Sequence, residues 1–556
     1  MRFPTPRWPR LRVPPADSSF VHGNVRWTNK DLDPVPPGMR KWTVLSFIGY
    51  WISDAFSVAN WQLASSIIAV GLSWKESLGM VALGFFILSI VIAMNGAIGT
   101  IYHVPFPVIA RASWGFWGSY VPIISRLVLA VFWFATQVVN GGNSVAVMLG
   151  AIWPSFLHIP NTLPAGEGIT TQGMVGFLLF WLLQIPFLMV HPNRLRYLFL
   201  AKSIIVPAAW IAMLIWAFIA VPNGGGLFSQ KSQLTGPSYS WAMMSSLTSV
   251  IGNYATVSVN QADFSRYSRV SPRWHMLYVV LLPAFFTFIA FMGIAVSSAG
   301  QARYHTDSIP WDPNVLLAFW SSRACRFFGA FSFALAALGS NISANSLSAA
   351  NDFTALAPQF MNIRRGQLLC ALLAWALVPW KILESAGNFL NFMSAYAVFL
   401  GPIAAIMLCD YWIIKRRKYD CVALYQPMSI YRYTGGFNCH ALVSFVVGAV
   451  PSLPGLMQSV NSHIRIGVGV HPYQFGWLLG FFGTSIVYVA LNYCLPYADS
   501  KIVTAVLPDD GLDAASVLDE SSVALEATYV TKNQEKGLTK SLVNRSIFRR
   551  TEDNIR

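Results

Sequence analysis

The chain has 556 residues, 55% of them hydrophobic and only 11% charged, with a formal net charge of +15. Soluble domains carry about 25% charged residues, so a water-exposed multidomain enzyme is excluded, and a mean hydropathy of +0.50 points to a polytopic membrane protein. The basic excess falls in short loops between apolar runs, which makes it a topology signal and not a nucleic-acid surface.

The first stretch, MRFPTPRWPRLRVPPADSS, is rich in Pro and Arg and has no apolar signal-peptide core; residues 1–42 read as a cytosolic tail. Twelve apolar runs follow, near 43–71, 78–100, 117–150, 173–192, 200–221, 239–264, 275–298, 324–350, 366–382, 385–413, 438–458 and 473–497. Each has about the 20 residues a helix needs to cross a bilayer. With the N-terminus inside, the inner loops hold Arg111; Arg194, Arg196 and Lys202; Arg266, Arg269 and Arg273; Arg364 and Arg365; and a cluster from Lys415 to Arg432. The outer loops hold only Lys75, Lys231, Arg303, Lys381 and Arg465, with Arg323 and Arg326 blurring one of them. Both termini are therefore expected in the cytosol. Residues 43–497 form the membrane domain. Residues 498–556 read as a flexible cytosolic tail, with Lys532, Lys536 and Lys540 as candidate modification sites. Six scattered cysteines read as packing thiols, with no disulfide or metal framework.

Polar residues inside a membrane mark functional candidates, and here they form four clusters. WISDAFSVANWQLASS in the first span holds Asp54, Ser57, Asn60 and Gln62. FWFATQVVNGGN in the third places Trp133 and Gln137 four apart, on one helix face. IGNYATVSVNQADFSRYSR in the sixth holds Gly252, Asn253 and Tyr254, then Asn260, Gln261 and Asp263. GSNISANSLSAANDF in the eighth puts Asn341 and Asn345 on one face. Spans one, three, six and eight are equivalent if the chain holds two five-span repeats. Many secondary transporters are built so, with the first helix of each repeat broken at a central site. Breaks are expected at Ser53-Asp54 and Gly252-Asn253.

The residue types suggest a ligand. An aromatic face stacks on a flat ring, worth about 1–3 kcal/mol per base in nucleic-acid binders. A side-chain amide, with one acceptor and two donors, complements a lactam or ureide edge. Trp133 with Gln137, and Tyr254 opposite, would form a sandwich with an edge reader; Asn341 and Asn345 would read another edge, and Ser57 and Asn60 would lie close to the ligand. Competing readings stay open. Trp133 and Tyr254 also suit packing, Asn among small residues glues membrane helices together, and Asp54 and Asp263 also suit capping of broken helices. No P-loop, HExxH or GxSxG is present, and no enzyme is expected.

NKDLDPVPPGMRKW before the first span, GLSW after it, NQADFSRY after the sixth and SNISANSLSAANDFTALAP at the eighth resemble the nucleobase:cation symporter-1 family. More narrowly, they resemble its fungal Fur-type branch of uracil, allantoin and uridine permeases, over about 25–500. The resemblance implies an all-α LeuT-like fold: a five-plus-five inverted repeat with helices one and six broken, plus two peripheral helices. It implies alternating access with proton symport, sodium being used in a bacterial relative, and no cofactor. It places Trp133 and Gln137 at the third-helix stacking and amide positions, Tyr254 near the second stacking aromatic, Asn345 at the main eighth-helix amide with Asn341 one turn before, and Ser57 at the first-helix substrate position. Leu390 to Phe392 falls on the tenth-helix outer gate.

The chain departs from this pattern at Ser57 and Ala59, where Fur-type members carry Asn; here the amide is Asn60. Gly339 and Ser340 stand where the bacterial sodium site has a hydroxyl pair, which favours proton coupling with Asp54 taking part. The expected function is import of a small nucleobase or ureide, uracil or allantoin first, across the plasma membrane. The vitamin (thiamine-type) branch is the closest rival, although it lacks the third-helix Trp and Gln. A non-transporting nutrient receptor signalling through its tail is a reading of another class, and a channel would need a continuous polar lining. No nucleic-acid partner is expected, and the oligomeric state is left open.

Overall fold

A computed structural model describes residues 12–13, 26–164, 166–190, 192–221, 226, 230–461 and 463–509, with backbone alone at 192–196. The side chains of Arg194 and Arg196, much of the N-terminal tail, and the tail beyond 509 with Lys532, Lys536 and Lys540 lie outside the described residues.

The described residues are helical, with isolated bridges and no strand. This is what a bilayer demands of a chain that must satisfy its backbone internally. Thr43 and Ser46 form a capping box that starts α1 (Val44–Ala55); α2 (Val58–Ala69) follows after a two-residue gap. Ser73 and Glu76 form a second box at the start of α3 (Trp74–Tyr102). Then come α4 (Phe106–Trp114), α5 (Tyr120–Ile152), α6 (Thr171–Met189), α7 (Pro192–Ala220), α8 (Gly236–Asn260) and the short α9 (Ala262–Ser265). The second half holds α10 (Tyr278–Tyr304), α11 (Pro313–Ala318), α12 (Arg323–Ser340), α13 (Leu347–Leu356), α14 (Ile363–Leu373), α15 (Ala386–Leu408), α16 (Cys439–Ala449), α17 (Leu453–Val460), α18 (His471–Gln474) and α19 (Gly476–Cys494).

Nine helical stretches among the described residues are long and apolar enough to cross a membrane, and they match nine of the twelve runs. The other three runs correspond to the split pair α1 and α2, the hydroxyl- and amide-rich α8, and α14 with its 3-10 continuation. The helices α5, α12 with α13, and α15 are mostly buried inside the protein, whereas α6, α7 and α19 turn most of their surface outward. That arrangement wraps an inner bundle in lipid-facing helices.

The break in the first span falls at Phe56-Ser57, three residues after the expected Ser53-Asp54. The expected break at Gly252-Asn253 is absent: α8 runs unbroken through both residues and bends only at Gln261. Gly252 serves close packing, because a Cβ there would stand 2.1 Å from the Met393 carbonyl of α15. The interruption in the second half lies in the eighth span, where Asn341–Ser346 forms a π-helical turn between α12 and α13. Such wide turns concentrate at functional sites.

Two further corrections concern the ends. The tail read from residue 498 begins as a docked strap: Cys421 and Val506 pair backbone to backbone, Lys418 Nζ donates to the Val503 carbonyl at 2.7 Å, and Asp509 forms a bidentate pair with Arg40 at 2.7 and 2.9 Å. Three of the six cysteines, Cys325, Cys439 and Cys494, are exposed and do not pack.

Candidate functional site

A helix that stops inside a membrane leaves carbonyls without partners. The break between α1 and α2 resolves this with side chains. Asn60 Nδ2 reaches back to the carbonyls of Ala55 at 2.8 Å and Asp54 at 3.3 Å. The Tyr254 hydroxyl donates to the Asp54 carbonyl at 3.1 Å. Asn253 Nδ2 donates to Asn60 Oδ1 at 2.6 Å. Both ends of the Asn60 amide are thus engaged in holding the break, which separates it from the ligand-facing role expected for it. Tyr254 is also drawn to the break. Its ring packs edge-on against Phe286 at 4.6 Å and tilts against Phe85 at 5.6 Å.

Ser57 is the extended residue at the gap, and its hydroxyl caps nothing in its own helix. Across from it, Gln137 Nε2 of α5 donates to Ser57 Oγ at 3.5 Å, a long contact. The other end of that amide, Gln137 Oε1, is buried without a partner. One turn away, Trp133 Nε1 donates to the Tyr396 hydroxyl at 3.1 Å, and that hydroxyl donates in turn to the Gly252 carbonyl at 2.9 Å. The Trp133 ring meets Phe392 edge-on at 5.5 Å. The expected gate residue therefore rests on the expected stacking residue, and Trp133 has Phe392 and Tyr396, not Tyr254, as its aromatic neighbours. The Leu390 carbonyl accepts from Ser249 Oγ of α8 at 3.0 Å, which ties the segment expected to gate the outer side to the sixth span. Tyr396 was not singled out in the sequence; it stands four residues after Phe392 and so shares its face.

The two asparagines of the eighth span are not equivalent. Asn341 is fully buried; its Nδ2 donates to Gln184 Oε1 of α6 at 2.7 Å and to the Phe134 carbonyl of α5 at 3.2 Å. Asn345 is half-buried and donates to Asn341 Oδ1 at 3.0 Å. Asn341 is the anchor, and Asn345 is the amide it aims.

Lys202, expected as an inner-loop cation, lies instead ten residues into α7 and is only 1% exposed. Its stem crosses α12 at Gly339, where a Cβ would come within 2.5 Å of Lys202 Cδ. Its ammonium donates to Ser340 Oγ at 3.0 Å and lies within electrostatic reach of Asp54, whose Oδ2 is buried without a hydrogen bond. Hydropathy could not show this, because a lysine near a helix end usually snorkels to the interface. Arg111 lies in the connection between the second and third spans, as expected, but within the short α4, where it is buried and donates to the carbonyls of Leu424 and Trp27.

A second buried charged group lies among the helices, without a local sequence signal. Arg126 of α5, 1% exposed, pairs with Asp352 of α13 and lies 4.0 Å from Asp263 of α9; it also donates to the Ser348 carbonyl at 2.6 Å. Asp263 accepts from the Phe106 amide at 2.9 Å and from Asn260 Nδ2 at 3.1 Å, the structural role open to it from sequence. This triad joins α4, α5, α9 and α13. A cavity of about 620 Å³ lies nearby, lined by Pro37, Arg40, His103 and Arg269, and includes none of the residues around the break.

A family profile described as "Permease for cytosine/purines, uracil, thiamine, allantoin" matches residues 34–480. The allantoin permease of Saccharomyces cerevisiae is 34% identical over 501 residues, covering 87% of this chain and 78% of that protein. The uracil permease of the same yeast is 33% identical with the same coverage. Among solved structures, Mhp1, a nucleobase-cation-symport-1 family transporter in a closed conformation, superposes with a TM-score of 0.67 at 18% identity, over 89% of this chain and all of that one. Fold and sequence agree with the motif resemblance. The chain belongs to the family of permeases for cytosine/purines, uracil, thiamine and allantoin, and is a multi-pass membrane transporter, not an enzyme.

Proposed function

We propose that the protein imports uracil, allantoin or a similar planar ring across the plasma membrane by proton symport. The reading rests on Gln137: an amide held beside Ser57 at the helix break, one turn from Trp133, with a buried carbonyl that no protein group satisfies. A ring N–H satisfies that acceptor, Trp133 supplies a face for stacking, and Asn345 meets another edge. Ser57 lines the gap. Asn341, Asn60 and Tyr254 hold these groups in place, and Leu390 with Phe392 closes the outer side over Trp133.

The coupling reading follows from charge. Lys202 carries a resident cation to Ser340, on the α12 surface facing the first-helix break, and Asp54 is its counter-ion within reach. A sodium ion bound there would meet a like charge, so the site favours a proton moving between these groups. The same lysine disfavours a fixed-cation vitamin as substrate. The architecture proposed is twelve crossings in a five-plus-five inverted repeat with two peripheral helices. The tail 1–42 precedes the membrane domain 43–497, the tail 498–556 follows it, and both termini are cytosolic.

The test is uptake of radiolabelled uracil and allantoin in a permease-deleted yeast, with surface delivery followed by a fluorescent tag. Uptake of at least one, abolished by a protonophore and indifferent to sodium removal, is the expected result. Absence of both at normal delivery removes the substrate assignment, and persistence under protonophore removes the coupling.

A further inference from the structure

A polar ladder outside this site climbs toward the side that charge asymmetry places outside. It begins at Gln62 of α2, whose Nε2 donates to Asn140 Oδ1 of α5 at 2.8 Å; Gln62 Oε1 and Asn140 Nδ2 are buried without partners. Asn140 stands three residues after Gln137, so the ladder starts one turn above the substrate amide. Ser144 Oγ then donates to the backbone carbonyl of Asn140 at 3.0 Å and to Asn314 Oδ1 at 2.8 Å. Asn314 donates to Asp312 Oδ1 through its backbone N–H at 3.0 Å and its Nδ2 at 3.2 Å.

Asp312, just before α11, is only 9% exposed. The groups that act on it are amides: Asn314 beside it, Gln62 of α2 and Asn143 of α5. From α10 and α12, Gly300 and Gly329 pack against Leu316 and Leu317, and the Tyr304 ring stacks on Phe319 at the far end of α11, at 5.3 Å. The cations near these helix ends are turned elsewhere. Arg323 donates to the carbonyls of Ala151 and Ile152 at 2.7 and 2.5 Å, Arg303 is exposed, and His305 and Asp307 on the preceding loop are exposed too. Those amides donate to the carboxylate and favour its ionised form, but burial without a cation outweighs them, and the Asp312 carboxyl is raised above the usual aspartate range.

We propose that Asp312 is a proton-binding site on the outer side, filled from the outer medium as the outer half closes and connected by the Gln62–Asn140–Ser144–Asn314 ladder to the substrate level. The balance is simple: hydronium gives its proton to the carboxylate, an O–H bond forms on Asp312, and water leaves. Asp312 also caps α11, but asparagine is an equally good N-cap. Asp312→Asn therefore keeps the cap and removes only the titration. The proposal rests on the proton-coupled reading above, and the test separates the two.

The full chain, purified in detergent, is unfolded thermally across a series of pH values as wild type and as D312N. A carboxyl whose folded pKa is raised costs nothing below its unfolded pKa, and weakens the folded state as pH rises toward the raised value. The wild type should therefore lose ground to D312N with rising pH, by up to about tenfold in the unfolding equilibrium per pH unit. A pH-independent difference overturns the proposal. If D312N fails to fold, Asn143→Leu, which removes a donor to the ionised form, should move the wild-type midpoint to higher pH; an unmoved midpoint overturns it equally. In cells, D312N should flatten the dependence of the uracil or allantoin KM on external pH while protonophore sensitivity remains. An unchanged pH dependence removes the link to transport. Loss of protonophore sensitivity in the wild type instead removes the coupling reading, and the unfolding measurement still decides Asp312.

Discussion

Asn345 donates its amide to Asn341 Oδ1 at 3.0 Å, while Asn341 spends its own amide on Gln184 and the Phe134 carbonyl. The pair divides its labour: one residue is fixed by two neighbouring helices and the other is presented.

The division predicts different failures. Asn345→Ala should abolish uptake with normal delivery to the membrane. Asn341→Ala strands Gln184 Oε1, at about 1–3 kcal/mol for an unsatisfied buried group, and should lower surface level and melting temperature as well as uptake. Confocal delivery and thermal unfolding, read beside uptake, check this; identical profiles for the two variants refute the division.

Gln137→Ala should bring uptake to background with normal delivery. Tyr396→Phe should raise KM and leave delivery intact, because it removes the hydroxyl between Trp133 and the Gly252 carbonyl without removing a ring. Tyr254→Phe, which leaves the Asp54 carbonyl with only the 3.3 Å contact from Asn60, should be worse tolerated than its ring packing alone implies. A kinetic comparison of the three at equal surface level is decisive.

Lys202→Met keeps the stem over Gly339 and deletes the charge at Ser340. Concentrative uptake should collapse, whereas equilibrative exchange of labelled for unlabelled substrate should persist. Concentrative uptake at the wild-type level would remove Lys202 from the coupling machinery.

Arg126→Ala leaves two buried carboxylates without their cation. Removing one partner of a buried pair costs about 3–5 kcal/mol, so poor delivery and a large drop in melting temperature are expected. Asp352→Asn combined with Arg126→Gln should recover part of that loss; no recovery would mean the triad is not the source.

Arg40 holds the Asp509 carboxyl below the usual aspartate range through their bidentate hydrogen bonds. A depressed carboxyl stabilises the docked strap above its unfolded pKa and stops doing so as pH falls through the folded value. The strap should thus stay docked at cytosolic pH and release only in strong acid. Limited proteolysis after residue 500 should accelerate at neutral pH in Arg40→Ala, not in the wild type.

Much of this was legible because the membrane restricts what a chain can do. Apolar runs marked the nine long helical stretches, and polar residues among them marked spans one, three, six and eight, which do meet around the break. What escaped depended on direction and partner. Lys202 looks like a loop cation until α7 is seen to start at Pro192. Asn60 looks like a ligand reader until its amide is seen to reach back to Ala55. Arg126 sits in an apolar run and finds its carboxylates 137 and 226 residues away in sequence, a separation no local pattern encodes. Gly252-Asn253 resembled a break because glycine has two uses, freedom of φ and close approach, and sequence does not say which.

The π turn at Asn341–Ser346 carries one residue more than an α turn would. A wide turn takes up that residue locally, so α13 keeps the phase that points Ser348 and Asp352 at Arg126 while Ser340 faces Lys202. Removing one residue between 341 and 346 would let the turn close to an ordinary α turn with little rotation of α13 against α12. The extra residue is thus slack taken up between two charged contacts on one helix, and Asn345 is mounted on that slack. A single-residue deletion there should leave both charged contacts in place and change chiefly how the Asn345 amide is presented.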